Sequence, residues 1–183
     1  MNVWYVNSIL GTFRLEEEND AICGLTLCPD GVPELEPLPR KVCETPLLQE
    51  AEEQLNEYLG HRFEALCAEW LVEQAKQGKL PIPATAVSSW WGTNPDKRAQ
   101  DDIDVLAADR VSKRLVIGEC KYRGSFDESA EINDLESKRG LVKGFTASHF
   151  MLFCKHDVSA ATKKKLAARE DWQIVTLQDM YID

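Results

Sequence analysis

The sequence has no run of eighteen apolar residues, so no segment reads as a membrane-spanning helix. Its start, MNVWYVNSILG, lacks a basic n-region and a long apolar stretch, and no secretory signal peptide is expected. Cysteines at CxxC spacing are absent. The six thiols, at 23, 28, 43, 67, 120 and 154, mostly lie inside apolar stretches. That is the pattern of packed, reduced cysteines in a cytoplasmic protein rather than of a disulfide frame or a zinc site. Histidine is scarce, with three residues at 61, 149 and 156; only His156 lies near a second metal-type ligand, Cys154, and a strand-end role explains it as well. No GxxxxGK[ST] phosphate loop is present, so the chain carries no nucleotide-driven motor of its own. Internal repeats and low-complexity segments are also missing.

Basic residues are few at the start. Residues 1–60 hold twelve acids against three bases, whereas residues 61–183 hold nineteen acids and eighteen bases. A chain of net charge −10 does not attract nucleic acid over its whole surface. Any such contact must use local basic clusters: Lys97-Arg98, Arg110-Lys113-Arg114, Lys138-Arg139-Lys143 or Lys163-Lys164-Lys165. Each of these reads more readily as a solvated face.

What is present suits one ordinary domain, or a small unit followed by a compact domain, in 183 residues. Residues 2–29 read as a strand pair around a polar turn, and PDGVPELEPLPR as a connection without regular structure. A helix is expected over 45–59, with Thr45 as N-cap and Pro46 at the first helical position, stopped or bent by Gly60. A second amphipathic helix covers 62–77, with Phe63, Leu66, Cys67, Trp70 and Leu71 as its apolar stripe. Strands follow at 84–92, 102–108 and 114–122, then a helix near 128–142, a strand at 149–155, a helix at 159–170 and a last strand at 172–180. Meandering strands followed by helical crossovers imply an α/β fold, a mixed sheet covered by helices on both sides.

The chemistry is concentrated in DDIDVLAADRVSKRLVIGECKYR. Two β-branched runs flank the polar turn ADRVSK, a hairpin signal. Alternation puts Glu119 and Lys121 on one face of a strand and Cys120 on the other. Across the hairpin Asp104 can face Glu119. Burying these charges together is costly unless a metal or a substrate pairs them. Asp104, Glu119 and Lys121 are therefore candidate catalytic residues of a magnesium-dependent phosphodiesterase, with Asp104 and Glu119 as ligands of Mg2+ or Mn2+. Lys121 would orient or deprotonate a water, or offset charge on the phosphate. The plain alternative is a surface cross-strand pair, which VIGECKY is too apolar to suit. Asp102 could join the site by alternation or simply enter the strand. Of Trp90 and Trp91, one at least is expected in the core, and the other could stack on a base. Lys97 and Arg98, in the loop before the Asp strand, are candidate nucleic-acid contacts. So is Lys138 on the following helix, although a surface position also fits it.

The order of elements and these residues resemble the PD-(D/E)XK nuclease superfamily, whose core is an α-β-β-β-α-β unit. More closely, YLGHRFE, SSWWG, DDIDVLA, GECKY and FMLFCK are similar to the nuclease-like domain at the C-terminal end of archaeal AAA-type ATPases, over roughly residues 58–180. The resemblance implies a restriction-endonuclease-like sheet. It also implies a metal ligand at Glu64 on the first helix, and backbone carbonyl ligation near Ile103 or Cys120. DNA, or RNA, would be the substrate, and a partner ATPase would supply any motor. NSILGTFRLEEENDAICGLTL and TPLLQEAEEQLNEYLGHR are similar to the N-terminal domain of methylated-DNA–protein-cysteine methyltransferases. That family's Pro-Cys-His-Arg motif is absent, so no cysteine takes an alkyl-acceptor role. The expected organisation is a small acidic hairpin-and-helix unit over 1–60 and a nuclease-like domain over 61–183. The alternatives are a non-catalytic nuclease-fold module that binds DNA or an ATPase, and a DNA-repair accessory protein. The sequence leaves strand specificity and oligomeric state open.

Overall fold

The computed structural model describes residues 1–8, 10–28 and 41–181. The expected irregular connection over 29–40 lies outside the described residues. The chain divides into two compact units, Met1–Leu59 and Gly60–Asp183.

In the first unit, β1 (Asn2–Ser8), β2 (Gly11–Glu18) and β3 (Ala21–Cys28) form an antiparallel ladder, and β4 (Lys41–Val42) joins β1 in parallel, in the order β3-β2-β1-β4. The expected strand pair is thus three strands, because the first run folds back on itself. Gly11 (φ 121°) takes a backbone that other residues avoid, and Ser8 Oγ donates to its carbonyl at 2.7 Å. The next turn places Asn19 and Asp20 at φ 52° and 57°, the left-handed pair that a two-residue hairpin requires. Val6 and Leu15 pack with Leu48 of α1 (Pro46–Lys76), and Thr45 caps that helix by accepting from Leu48 N at 3.2 Å.

Helix α1 runs through Gly60 without a break, contrary to the stop or bend expected there. A glycine costs about 1 kcal/mol against alanine in a helix, which is small beside about four hydrogen-bonded turns on either side.

The second unit is a five-stranded mixed sheet in sequence order: β5 (Ala86–Asn94), β6 (Ala99–Asp109), β7 (Arg114–Lys121), β8 (Thr146–Cys154) and β9 (Trp172–Thr176). The first three strands are antiparallel neighbours, and β7, β8 and β9 run parallel. Parallel neighbours need crossovers, and α2 (Glu128–Ser137) and α3 (Ala160–Ala167) provide them. The helix expected near 128–142 ends earlier and tightens into a 3-10 turn over Lys138–Gly140. On one face Ile117 and Leu152 pack with Ile132 and Leu135 of α2 and Leu166 of α3. On the other, α1 sets Phe63 against Tyr122 (centroids 5.9 Å) and Trp70 edge-on to Phe153 (5.8 Å). Parallel strands covered on both faces read as continuous apolar runs, which is why RLVIGEC and HFMLFC hold so few polar residues. Gly118 is required by this packing: a Cβ there would stand 2.8 Å from both the Phe153 ring and Val105 Cγ2. Among the described residues no helix is long and apolar enough to cross a membrane.

Candidate active site

Alternation along β7 delivers Glu119 and Lys121 to the face covered by α2. The β6–β7 ladder ends where Val105 pairs with Gly118, which leaves Asp104 and Glu119 as neighbours just past its last pair, near enough for the charge of Glu119 to act on Asp104. Asp104 Oδ2 accepts a hydrogen bond from Cys120 N at 2.7 Å, which ties the aspartate to the peptide between Glu119 and Lys121.

A β-bulge lies beside this point. Between the pairs Ser88↔Leu106 and Trp90↔Ile103, β6 spends three steps where β5 spends two. The extra residue resets the alternation of β6. Ile103 joins the core cluster with Leu106 and Ala108, and Asp101, two residues before it, reaches Lys138. Asp102, which simple alternation puts on the Asp104 face, is exposed instead. Bulges recur beside active sites because they re-aim a side chain in this way.

The result is a charge network. Lys121 Nζ lies 2.8 Å from Glu119 and 3.0 Å from Glu131. Lys138 Nζ lies 3.3 Å from Glu119, 3.0 Å from Asp134 and 3.6 Å from Asp101. Lys97 Nζ closes the ring at 2.9 Å from Asp101 and 2.5 Å from Asp134. Burial works against the charge on Lys121, but Glu119 and Glu131 overcome it and raise its pKa. Burial likewise opposes the charge on Lys138, and Glu119, Asp134 and Asp101 raise its pKa well above the usual lysine range. Burial pushes Asp101 upward, yet Asn94, Lys97 and Lys138 hold its carboxyl at about 2. Asp104 behaves oppositely. Burial, then the charge of Glu119, push it up to about 7; the Cys120 N–H relieves this in part, and Glu64 and Asp102 add to it.

Lys138 is not the surface residue that was one reading of it. Its side chain is 4% exposed and acts as an internal counter-ion of Glu119. Lys97 is bound into the network, whereas Arg98 is exposed at φ 52° in the turn before β6. Glu64 pairs loosely with His61 at 3.5 Å while its charge reaches Asp104. Trp90 packs on the core cluster and Trp91 is 80% exposed. Sequence reasoning missed Asp101, Glu131 and Asp134. A signal for two of them was available: Glu131, Asp134 and Lys138 recur at helical spacing beside the apolar pair Ile132 and Leu135.

Among the described residues, no three His, Cys, Asp or Glu side chains are grouped to hold a metal ion. Asp104 and Glu119 nevertheless fit a hard cation. They offer oxygen donors only, and burial, then the charge of Glu119, disfavours the ionised form of Asp104, a cost that a cation held there would offset. Magnesium accepts as few as one or two protein carboxylates and completes its shell with water.

A family model described as "Archaea bacterial proteins of unknown function" matches residues 38–132, a span that includes Glu64, Asp104, Glu119 and Lys121. The chain is 29% identical over 97 residues to Uncharacterized protein MJECL04 of Methanocaldococcus jannaschii, which covers 52% of this chain and 21% of that protein. The chain thus spans about a fifth of that relative's length. It is also similar to the crystal structure of protein VC1899 from Vibrio cholerae, with a TM-score of 0.49 and 18% identity, over 76% of this chain and 34% of that one.

Proposed function

The chain belongs to this family of archaeal and bacterial proteins of unknown function, and from its own side-chain chemistry we propose that residues 61–183 form a divalent-metal-dependent phosphodiester hydrolase acting on DNA. The reading extends to a PD-(D/E)XK type of site on a restriction-endonuclease-like sheet. One observation carries it: Asp104, tied to the Cys120 N–H beside Glu119, has its carboxyl pushed up to about 7 by burial and by that neighbour's charge. Crowded carboxylates at a bulged strand are best relieved by a cation.

Asp104 and Glu119 would hold the ion, and Glu64 would accept from a water bound to it. Magnesium or manganese held there would supply an activated water and neutralise charge on the phosphate. Lys121 is kept protonated by Glu119 and Glu131, so its part is to offset the charge that builds on the attacked phosphate rather than to take up a proton. The Cys120 N–H holds Asp104 in register with Glu119. Lys138 pairs with Glu119 from the protein interior. The six cysteines are free thiols, which supports a reducing, cytoplasmic setting.

A second reading, a non-catalytic nuclease-fold module, is favoured by one observation: Lys121 and Lys138 already neutralise Glu119 from within the protein. The test is cleavage of labelled single-stranded, duplex and branched DNA and of RNA, with magnesium and with manganese. The hydrolase reading expects metal-dependent cleavage that disappears in Asp104→Ala and Lys121→Ala. Intact cleavage in both variants would overturn it. A bound ion with no cleavage of any substrate would favour the second reading.

A further inference from the structure

The three lysines of the charge network are all occupied. Lys97, Lys121 and Lys138 each have two or three carboxylates within ion-pair distance. A phosphate chain arriving at the site must displace a carboxylate to reach any of them. Lys155 stands in a different situation. Strand β8 pairs Cys154 with Lys121, and the next residue, Lys155, donates its backbone N–H to Lys121 O at 3.1 Å. Its ammonium lies 4.7 Å from the centroid of the Tyr122 ring. Tyr122 is 8% exposed and packs on Phe63, the residue before Glu64 on α1. Lys155 is therefore positioned from both sides, by a backbone bond to Lys121 and by an aromatic face.

No carboxylate among the described residues lies within ion-pair distance of Lys155. Burial acts on it unopposed and lowers its pKa, whereas the three network lysines have theirs raised. Arg123, next after Tyr122, is exposed and also lacks a carboxylate partner among the described residues. Lys155 thus directly follows β8, and Arg123 lies two residues past the end of β7, on a chain whose net charge is −10. An ammonium half-withdrawn from water, with only a ring for company, gains most from an incoming anion.

We propose that Lys155 is a subsite for a non-scissile phosphate of a nucleic-acid backbone, one strand away from the Asp104–Glu119 pair. The placement of the substrate rests on the hydrolase reading; the subsite itself is a binding claim and is tested without cleavage. Oligonucleotide binding is followed by fluorescence anisotropy in EDTA, with labelled single-stranded and duplex DNA, over a range of salt concentrations. Each phosphate contact contributes about 0.7 (single strand) or 0.9 (duplex) to the slope of log affinity against log salt. Lys155→Met keeps the apolar stem on Tyr122 and removes the charge. It is expected to weaken binding about threefold or more and to flatten the slope by about that amount. Lys155→Arg restores the slope. Lys79→Met, at an exposed lysine just after α1 and outside the basic clusters, removes the same charge and leaves the slope unchanged. Melting curves check each fold, and Lys155→Gln carries the test if Lys155→Met does not fold. If the parent binds and Lys155→Met matches it in affinity and slope, the subsite is overturned while the hydrolase reading stands. A flattened slope in a parent that cleaves nothing with magnesium or manganese supports the subsite and removes the hydrolase reading. A parent that binds neither oligonucleotide overturns the subsite outright.

Discussion

Replacing Asp104 by asparagine removes one charge from the carboxylate cluster and keeps an acceptor for the Cys120 N–H. The folded protein pushes this carboxyl from 3.8 up to about 7, through burial first and the charge of Glu119 second. Because the folded pKa lies above the unfolded one, the contribution of Asp104 to stability is present below about pH 4 and is lost as pH rises through 7. Above that the parent must fold around an unwanted charge. The displacement sets an upper bound of roughly 4 kcal/mol. Access of water to the pair reduces the expected gain in Asp104→Asn to about 1–3 kcal/mol, or about 2–10 °C in melting temperature for a chain of this size. Thermal melts followed by circular dichroism in EDTA, from pH 4 to pH 9, read this directly. The variant should melt above the parent at pH 8, and the gap should close toward pH 4. Magnesium should raise the melting temperature of the parent alone. A variant that melts below the parent at pH 8 would show that its neighbours stabilise the ionised carboxylate, and the crowding argument would fail. A residue that lowers stability in the free protein and is needed for the reaction is the usual exchange between stability and activity.

Lys138→Met should lower unfolding free energy at pH 7 by about 2–4 kcal/mol in urea titrations, because Glu119, Asp101 and Asp134 each lose a buried cation yet keep a second one. A loss under about 0.5 kcal/mol would place that ammonium in water. Asp101 is held at about 2, so its contribution is present above about pH 4 and lost as pH falls toward 2. Asp101→Asn should therefore flatten the acid limb of the stability curve, as read by melting temperature between pH 5 and pH 2. Gly118→Ala forces a methyl group to within 2.8 Å of Phe153 and Val105 and should cost about 1–3 kcal/mol in the same urea titrations, with no change at neutral substitutions such as Ser89→Ala.

Much of the second unit is legible in the chain. The apolar runs RLVIGEC and HFMLFC give buried parallel strands, and the spacing of Glu119 and Lys121 puts both on one face. The partner Asp104 follows from the short hairpin between the strands. The bulge in β6 does not, because one extra residue in IDVLAAD leaves the composition of the strand unchanged while it exchanges the roles of Asp101 and Asp102. A break at Gly60 follows from local propensity, which gives a glycine weight that a long run of helical hydrogen bonds overrides. Lys138 read as a surface residue for a related reason. A lysine's type records nothing of its partners, and its three carboxylates come from β6, β7 and α2, which only the fold brings together. The third strand of the first ladder comes from the fold-back between Ser8 and Gly11, where Asn7, Ser8 and a lone glycine make only a weak turn signal.

The central claim is that Asp104 and Glu119 share a cation site, and manganese binding measured by loss of the free-ion paramagnetic resonance signal tests it most directly. One bound ion per chain is expected in the parent, with binding abolished in Asp104→Asn and in Glu119→Gln and retained in Arg110→Met. A parent that takes up no manganese at millimolar concentration, or two carboxylate variants that bind it as the parent does, would contradict the account.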